Sequence, residues 1–178
     1  MPGTTRAAGR GRMWNDRGVR WFLLAVAFAA TFVVASAAQL PDMVASHFAA
    51  GGAVNGMMPR NSYLVLMLLL VIALPTVMVL LSWVALSRPN ARINLPNGPY
   101  WLAPERRAQT IGVIRSAMLR FSTLLLVFLC YAHWLVVRAN RGVPPHLEEG
   151  WFLGGLAAFL ATAVIGTMGF LRRFRRDS

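Results

Sequence analysis

The stretch SYLVLMLLLVIALPTVMVLLSWVAL, residues 62–86, decides the fold because it contains no charged side chain over its whole length. A helix needs about 20 mostly apolar residues to cross a hydrocarbon core about 30 Å thick, and this stretch is long enough. Pro75 removes a backbone hydrogen bond within it, which predicts a kink. Neighbouring helices or water tolerate such a proline in a membrane. The stretch therefore predicts a transmembrane helix.

Three further apolar stretches, residues 21–40, 118–137 and 151–171, predict three more spans. The composition agrees, since 57% of the residues are hydrophobic and only 13% are charged. The sequence therefore predicts an all-α membrane protein, a four-transmembrane-helix bundle. Small residues recur at spacings of three and four along 151–171, which favours close helix contact within the bundle or in a homo-oligomer.

Arginine placement predicts the orientation of these spans. All 18 basic residues are arginine, and all but Arg60, Arg138 and Arg141 lie before the first span, between the second and third spans or at the start of the third, or after the fourth. Because segments rich in arginine stay in the cytoplasm, both termini are predicted to be cytoplasmic. The predicted organisation is an arginine-rich cytoplasmic segment, a four-span membrane domain and a basic cytoplasmic tail, at residues 1–20, 21–171 and 172–178.

The same features bear on two other interpretations. The net charge of +12 would suggest nucleic acid in a soluble protein, but the arginines flank apolar runs and no nucleic-acid-binding motif is present, so no such partner is predicted. The basic start, the apolar run and Ala35-Ser36-Ala37 also resemble a cleaved signal peptide, which stays an alternative for the first span. Cleavage would leave the topology of the other spans unchanged.

Polar loops join the spans. The loop after the first span holds the densest set of polar and turn-forming residues. Pro41 and Asp42 favour the start of a short helix, and Leu40, Val44 and Phe48 repeat every four residues as an apolar stripe. Gly51-Gly52 then predicts the helix end and Asn55-Gly56 a tight turn. On the other side, the prolines of residues 94–104 predict a loop on the membrane surface or a docking surface, with a helix from Pro104 into the third span.

The order of residues in this first loop resembles a known family. The pattern is Leu40-Pro41-Asp42, Val44, His47-Phe48, Gly52, Asn55-Gly56 and Arg60, followed by a long apolar span. It resembles the bacterial membrane family called domain of unknown function 1648. SdpI-like proteins, which act in toxin immunity and signalling, carry such a domain. The resemblance implies a plasma-membrane location and a signalling or immunity role.

No familiar catalytic motif or paired metal ligands occur, so neither a cofactor nor a metal site is predicted. The predicted function is non-enzymatic binding or sensing through the outer loop, residues 40–61, with a membrane or extracytoplasmic protein as partner beside the lipid bilayer. A small transporter or its accessory subunit is the alternative, and a membrane enzyme using His47 and Asp42 is the second. The candidate site residues are Pro41, Asp42, His47, Phe48, Gly52, Asn55, Gly56 and His133.

Overall fold

The computed structural model describes the backbone of residues 5–88 and 92–175, with side chains from residue 17 onward. The side chains of Arg6, Arg10 and Arg12, and the whole of Arg176, which all count toward the predicted orientation, lie outside the described residues. So do parts of the predicted terminal segments 1–20 and 172–178. The elements in chain order are α1 (Thr5–Ala37), β1 (Met43–Phe48), β2 (Val54–Pro59), α2 (Arg60–Leu68), a π-turn (Leu69–Ala73), α3 (Leu74–Ser87), α4 (Gly98–Trp101), α5 (Pro104–Ala139) and α6 (Glu149–Arg175).

Among the described residues, four helical stretches are long and apolar enough to span a membrane, which confirms the four predicted spans. They are 17–37, 60–87, 104–139 and 149–175. The predicted helix from Pro104 is confirmed as well, because α5 is continuous from there through the third span. Helix α5 is the centre of the bundle and packs against α1, α3 and α6. It also contacts α4, the π-turn and β1.

The second span is interrupted by the π-turn just before Pro75. In a regular α-helix the ring of Pro75 would collide with the carbonyl of Val71, and that carbonyl would lose its hydrogen-bond donor. A π-turn closes a wider hydrogen-bonded ring than an α-helical turn, so the carbonyls before Pro75 can accept from different amides. The proline therefore places the irregularity that divides the span into α2 and α3.

The loop after the first span is a β-hairpin, so the predicted short helix is wrong. Strands β1 and β2 pair antiparallel, with Val44 opposite Met58 and Ala45 opposite Met57. A spacing of four residues satisfies the period of a strand as well as that of a helix, so the stripe of Leu40, Val44 and Phe48 did not distinguish the two. Hydrogen bonds from residues distant in sequence, Asn140 and Leu147, stabilise the hairpin instead.

The hairpin also changes the roles predicted for the glycines. Gly51 and Gly52 have φ of 81° and 80°, so the expected left-handed conformation is confirmed, but it forms the hairpin turn rather than a helix end. Asn55-Gly56 lies inside β2 at a register shift and not in a turn, so that prediction is wrong. Bulged strands of this kind use glycine where the partner strand comes close.

The largest buried cluster lies directly beneath the hairpin. It joins residues of α1, the hairpin, α2, the π-turn and α5, among them Val33, Val44, Tyr63 and Leu126. At the opposite end of the bundle, the segment 92–103 packs on the last turn of α6. There the indole Nε1 of Trp101 donates to the carbonyl of Phe174 over 3.0 Å, and Phe174 is buried. The hairpin thus rests on three of the spans, while α6 stands outside this core.

Candidate functional site

The hairpin is joined to the second span without a loop, because β2 ends at Pro59 and α2 begins at Arg60. The Arg60 amide donates to the carbonyl of Asp42 over 2.8 Å, which extends the ladder by one pair. Its guanidinium donates to the carbonyl of Leu40 and forms an ion pair with the Asp42 carboxylate, both over 3.0 Å. The predicted site residue Asp42 therefore fixes the base of the hairpin, although its own side chain is exposed.

The free edge of β1 is covered by one side chain from the third span. The carboxamide of Asn140 accepts a hydrogen bond from the Ala45 amide over 2.8 Å and donates to the Ala45 carbonyl over 2.9 Å. Asn140 thereby imitates a neighbouring strand at the end of α5. Sequence reasoning missed it, since an asparagine after a helix is ordinarily interpreted as a cap.

The tip of the hairpin is held by the segment between α5 and α6. The Leu147 amide donates to the carbonyl of Gly52 over 2.9 Å, and Glu149 accepts from the Gly51 amide over 3.0 Å. A β-bridge joins Ala53 to His146. The hairpin is therefore fixed at its base by Arg60, and at its edge and its tip by residues distant in sequence.

Several side chains of the anchored hairpin remain exposed, and we call four of them, Met43, His47, Asn55 and Met57, the hairpin patch. Among the described residues, His47 has its hydrogen bond with its neighbour, with Nδ1 3.0 Å from the hydroxyl of Ser46. Its Cβ lies so near Gly56 that a methyl group there would approach it to 3.0 Å, which explains the glycine. The patch is thus a polar and polarisable surface on a fixed backbone, with methionines suited to contacts of varied shape.

The remaining predicted site residues do not belong to the hairpin patch. Pro41 is exposed at the start of the hairpin, Phe48 is half-buried and Gly52 is buried under the segment 146–147. His133 is apart from all of them, fully buried among the first three spans. The structure therefore brings seven of the eight candidates together on one hairpin and separates His133 from them.

His133 connects three spans through two hydrogen bonds. Its Nε2 lies 2.8 Å from the hydroxyl of Ser36 on α1, and its Nδ1 lies 2.9 Å from the hydroxyl of Tyr63 on α2. The Ser36 hydroxyl donates to the Phe32 carbonyl over 2.6 Å, so it accepts from His133. Nε2 therefore carries the proton, and Nδ1 accepts from Tyr63. A neutral imidazole satisfies every polar group of this His133 cluster, formed by Ser36, Tyr63 and His133.

Chain position alone does not indicate these partners, because Ser36 and Tyr63 precede His133 by 97 and 70 residues. Their positions in the spans are nevertheless informative. The serine lies one residue before the end of the first span, and the tyrosine lies in the first turn of the second. Both lie at the same depth as His133 once the four spans are aligned. Polar residues that share a depth in neighbouring spans are expected to pair, because hydrocarbon offers no other partner.

The double replacement of His133 and Tyr63 by phenylalanine is expected to cost less stability than His133→Phe alone. The single change leaves the Tyr63 hydroxyl buried without an acceptor, at a cost of about 1–2 kcal/mol. Removing both partners leaves no unpaired group. The free energy of unfolding, measured in micelles for wild type, both single variants and the double variant, tests this. Additive losses would contradict a hydrogen bond between the two side chains.

The three titratable candidate residues bond different partners. Asp42 pairs with Arg60, His47 with Ser46 and His133 with Ser36 and Tyr63, so none of the three bonds another. Among the described residues, no three His, Cys, Asp or Glu side chains lie together in a metal-binding arrangement. What the arrangement provides is a fixed hairpin above a buried contact among three spans.

Comparison with known proteins identifies the first part of the chain. The family model described as Domain of unknown function (DUF1648) matches residues 22–73, which confirms the resemblance drawn from the hairpin sequence. The match covers the first span, the hairpin and α2 as far as the end of the π-turn, and it includes Ser36 and Tyr63. No curated protein and no solved structure matches the chain significantly.

Proposed function

Because residues 22–73 belong to the DUF1648 domain family, whose function is unknown, we propose that this protein is a non-enzymatic membrane protein that senses or binds a partner through the hairpin patch. The partner is a membrane or extracytoplasmic protein or peptide, as in a signalling or immunity role. The observation that carries the proposal is the hairpin itself. Its backbone is fixed by Arg60, Asn140 and Leu147, while the side chains of the patch stay exposed.

A fixed backbone lowers the entropy that binding must overcome. The hairpin also continues directly into α2, whose first turn carries Tyr63, so a partner bound at the patch acts on the His133 cluster through α2. Below this cluster lies the π-turn, a place where spans commonly bend. The cluster is therefore the element through which binding at the patch reaches the three packed spans.

A growth assay tests the immunity form of the proposal. In this assay a strain that lacks the gene is exposed to a panel of membrane-active peptides. Wild type restores growth in the presence of at least one peptide, and the double variant His47→Ala with Asn55→Ala loses most of that protection at unchanged membrane abundance. Ala50→Ser, at the exposed hairpin turn, is the matched control and protects fully. Full protection by the double variant, or no peptide sensitivity in the gene-deleted strain, would count against it.

We further propose that the hairpin faces outward from a bacterial plasma membrane and that both termini are cytoplasmic, since arginines dominate the opposite end. In a Cys130→Ser background, Ala50→Cys on the hairpin should react with a membrane-impermeant maleimide in intact cells. Glu105→Cys, at the start of α5, should react only after the cells are opened. The reverse labelling pattern would overturn this orientation.

The other functions receive less support from the site. A membrane enzyme would need Asp42 and His47 to act together, whereas each has a different partner. A transporter would need polar residues that follow one another across the bundle, whereas Leu126 is buried between Ser122 and His133 on α5. Homo-oligomer formation through α6 is compatible with the proposal, because the small residues Gly154, Ala158 and Gly166 of this helix are exposed.

A further inference from the structure

An apolar groove runs between α5 and α6, away from the hairpin patch and the His133 cluster. Its volume is about 810 Å³. Leu124, Val127, Phe128 and Tyr131 form the α5 wall, and Trp151, Gly154, Ala158 and Phe159 are among the residues of the α6 wall. Gly154 and Ala158 carry little or no side chain, so the α6 wall is shallow. The groove therefore lies open along the membrane-facing side of the bundle.

The depth of the groove corresponds to one leaflet. Its α6 wall runs from Trp151 to Thr162, a rise of about 16 Å at 1.5 Å per residue. Half of a hydrocarbon core about 30 Å thick is about 15 Å. A helix from another protein would cross both leaflets, whereas an acyl chain occupies one. The length of the groove therefore favours an acyl chain from the leaflet on the hairpin side.

Two opposite charges lie at the end of the groove nearest the hairpin: Glu148, which lines the groove, and its ion-pair partner Arg138, which does not line it but lies beside it. The carboxylate of Glu148 lies 2.7 Å from the guanidinium of Arg138, and both side chains are about half exposed. The Arg138 guanidinium also lies 5.6 Å from the ring centre of Trp134 and 5.5 Å from that of Trp151. Trp151 is 53% exposed, so its ring remains available to a second contact.

We propose that this groove binds one phospholipid with a zwitterionic, ammonium-bearing headgroup. The acyl chain lies along Gly154, Ala158 and Thr162. The ammonium group contacts Glu148 and the exposed ring of Trp151, and the phosphate contacts Arg138. The site is independent of the proposed hairpin function, because no residue of the hairpin patch lines it.

Native mass spectrometry of the purified full-length protein tests the proposal, with equal amounts of phosphatidylethanolamine and phosphatidylglycerol added in detergent. Wild type should retain phosphatidylethanolamine roughly fivefold better, as expected for one ion pair and one cation–π contact at an exposed site. Glu148→Gln should remove this preference. Ala158→Leu, which fills the groove, should reduce lipid retention severalfold, whereas Ala157→Leu on the neighbouring exposed face should not.

Only variants whose melting temperature equals that of wild type are compared. If Ala158→Leu does not fold, Thr162→Leu is used in its place. Equal retention of the two lipids, or equal effects of Ala158→Leu and Ala157→Leu, would overturn the proposal in favour of unselective annular lipid. A dimer that Ala158→Leu abolishes without loss of bound lipid would also overturn it, since a second copy would then occupy the groove.

Discussion

Gly52→Ala is expected to release the tip of the hairpin from the segment between α5 and α6. A Cβ at residue 52 would lie 1.9 Å from the carbonyl oxygen of Leu147, a backbone atom that cannot move aside alone. The φ of 80° adds strain of about 1 kcal/mol for any residue with a side chain. The hydrogen bond from the Leu147 amide to the Gly52 carbonyl is lost as well. Together these effects amount to about 3 kcal/mol or more.

Gly51→Ala is the matched control for this prediction. Gly51 has nearly the same φ, 81°, but no atom lies within 4 Å of the position its Cβ would take. Alanine there should cost only the backbone strain, about 1 kcal/mol. Amide hydrogen exchange of residues 43–59 compares the two, with faster exchange across the hairpin in Gly52→Ala alone. Equal exchange in both variants would show that the contact with Leu147 does not fix the hairpin.

The four spans follow from the sequence because the signal is local and repeated. An apolar run such as residues 62–86 has few structures that satisfy its backbone in hydrocarbon, and a helix is the simplest. Pro75 marks the irregularity for the same reason, since its missing amide has the same consequence in any helix. The start of α5 at Pro104 is another local signal that the structure reproduces.

The hairpin does not follow from local signals because its strands are decided by distant partners. The edge of β1 is satisfied by Asn140, and the turn is held by Leu147 and Glu149, all at the far end of the third span or beyond it. A helix at residues 43–48 would pair only a few of its own backbone groups and would leave these distant groups without partners. The sequence located seven candidate residues on one loop, and only the fold reveals which of them anchor it and which remain exposed.

The His133 cluster shows the same division between local and distant information. The sequence shows that His133 lies near the end of a predicted span, but it leaves open whether this residue is structural or functional. The choice depends on Ser36 and Tyr63, which leave no hydrogen-bonding position of the imidazole open. His133 therefore joins three spans through hydrogen bonds, and the exposed His47 is the better first target for a binding study.

Gly155→Ala is expected to separate α6 from α5, because the Tyr131 ring of α5 lies directly against Gly155. A Cβ there would lie 2.1 Å from Cε1 of the Tyr131 ring, and the hydroxyl of the same tyrosine donates to the carbonyl of Trp151 over 2.6 Å. The ring cannot move away without breaking that bond, so overpacking is expected to cost about 2–3 kcal/mol. The expected result is a lower unfolding midpoint in micelles.

Gly154→Ala provides the control, since no atom lies within 4 Å of its Cβ position and alanine is a better helix former than glycine. This variant should be as stable as wild type or slightly more stable. The difference between the two neighbours then measures the contact with Tyr131 alone, because both changes add one methyl group to the same helix. A Gly155→Ala variant as stable as Gly154→Ala would mean that α6 does not pack against Tyr131. Since α6 carries one wall of the apolar groove, that outcome would also remove the basis for the lipid site.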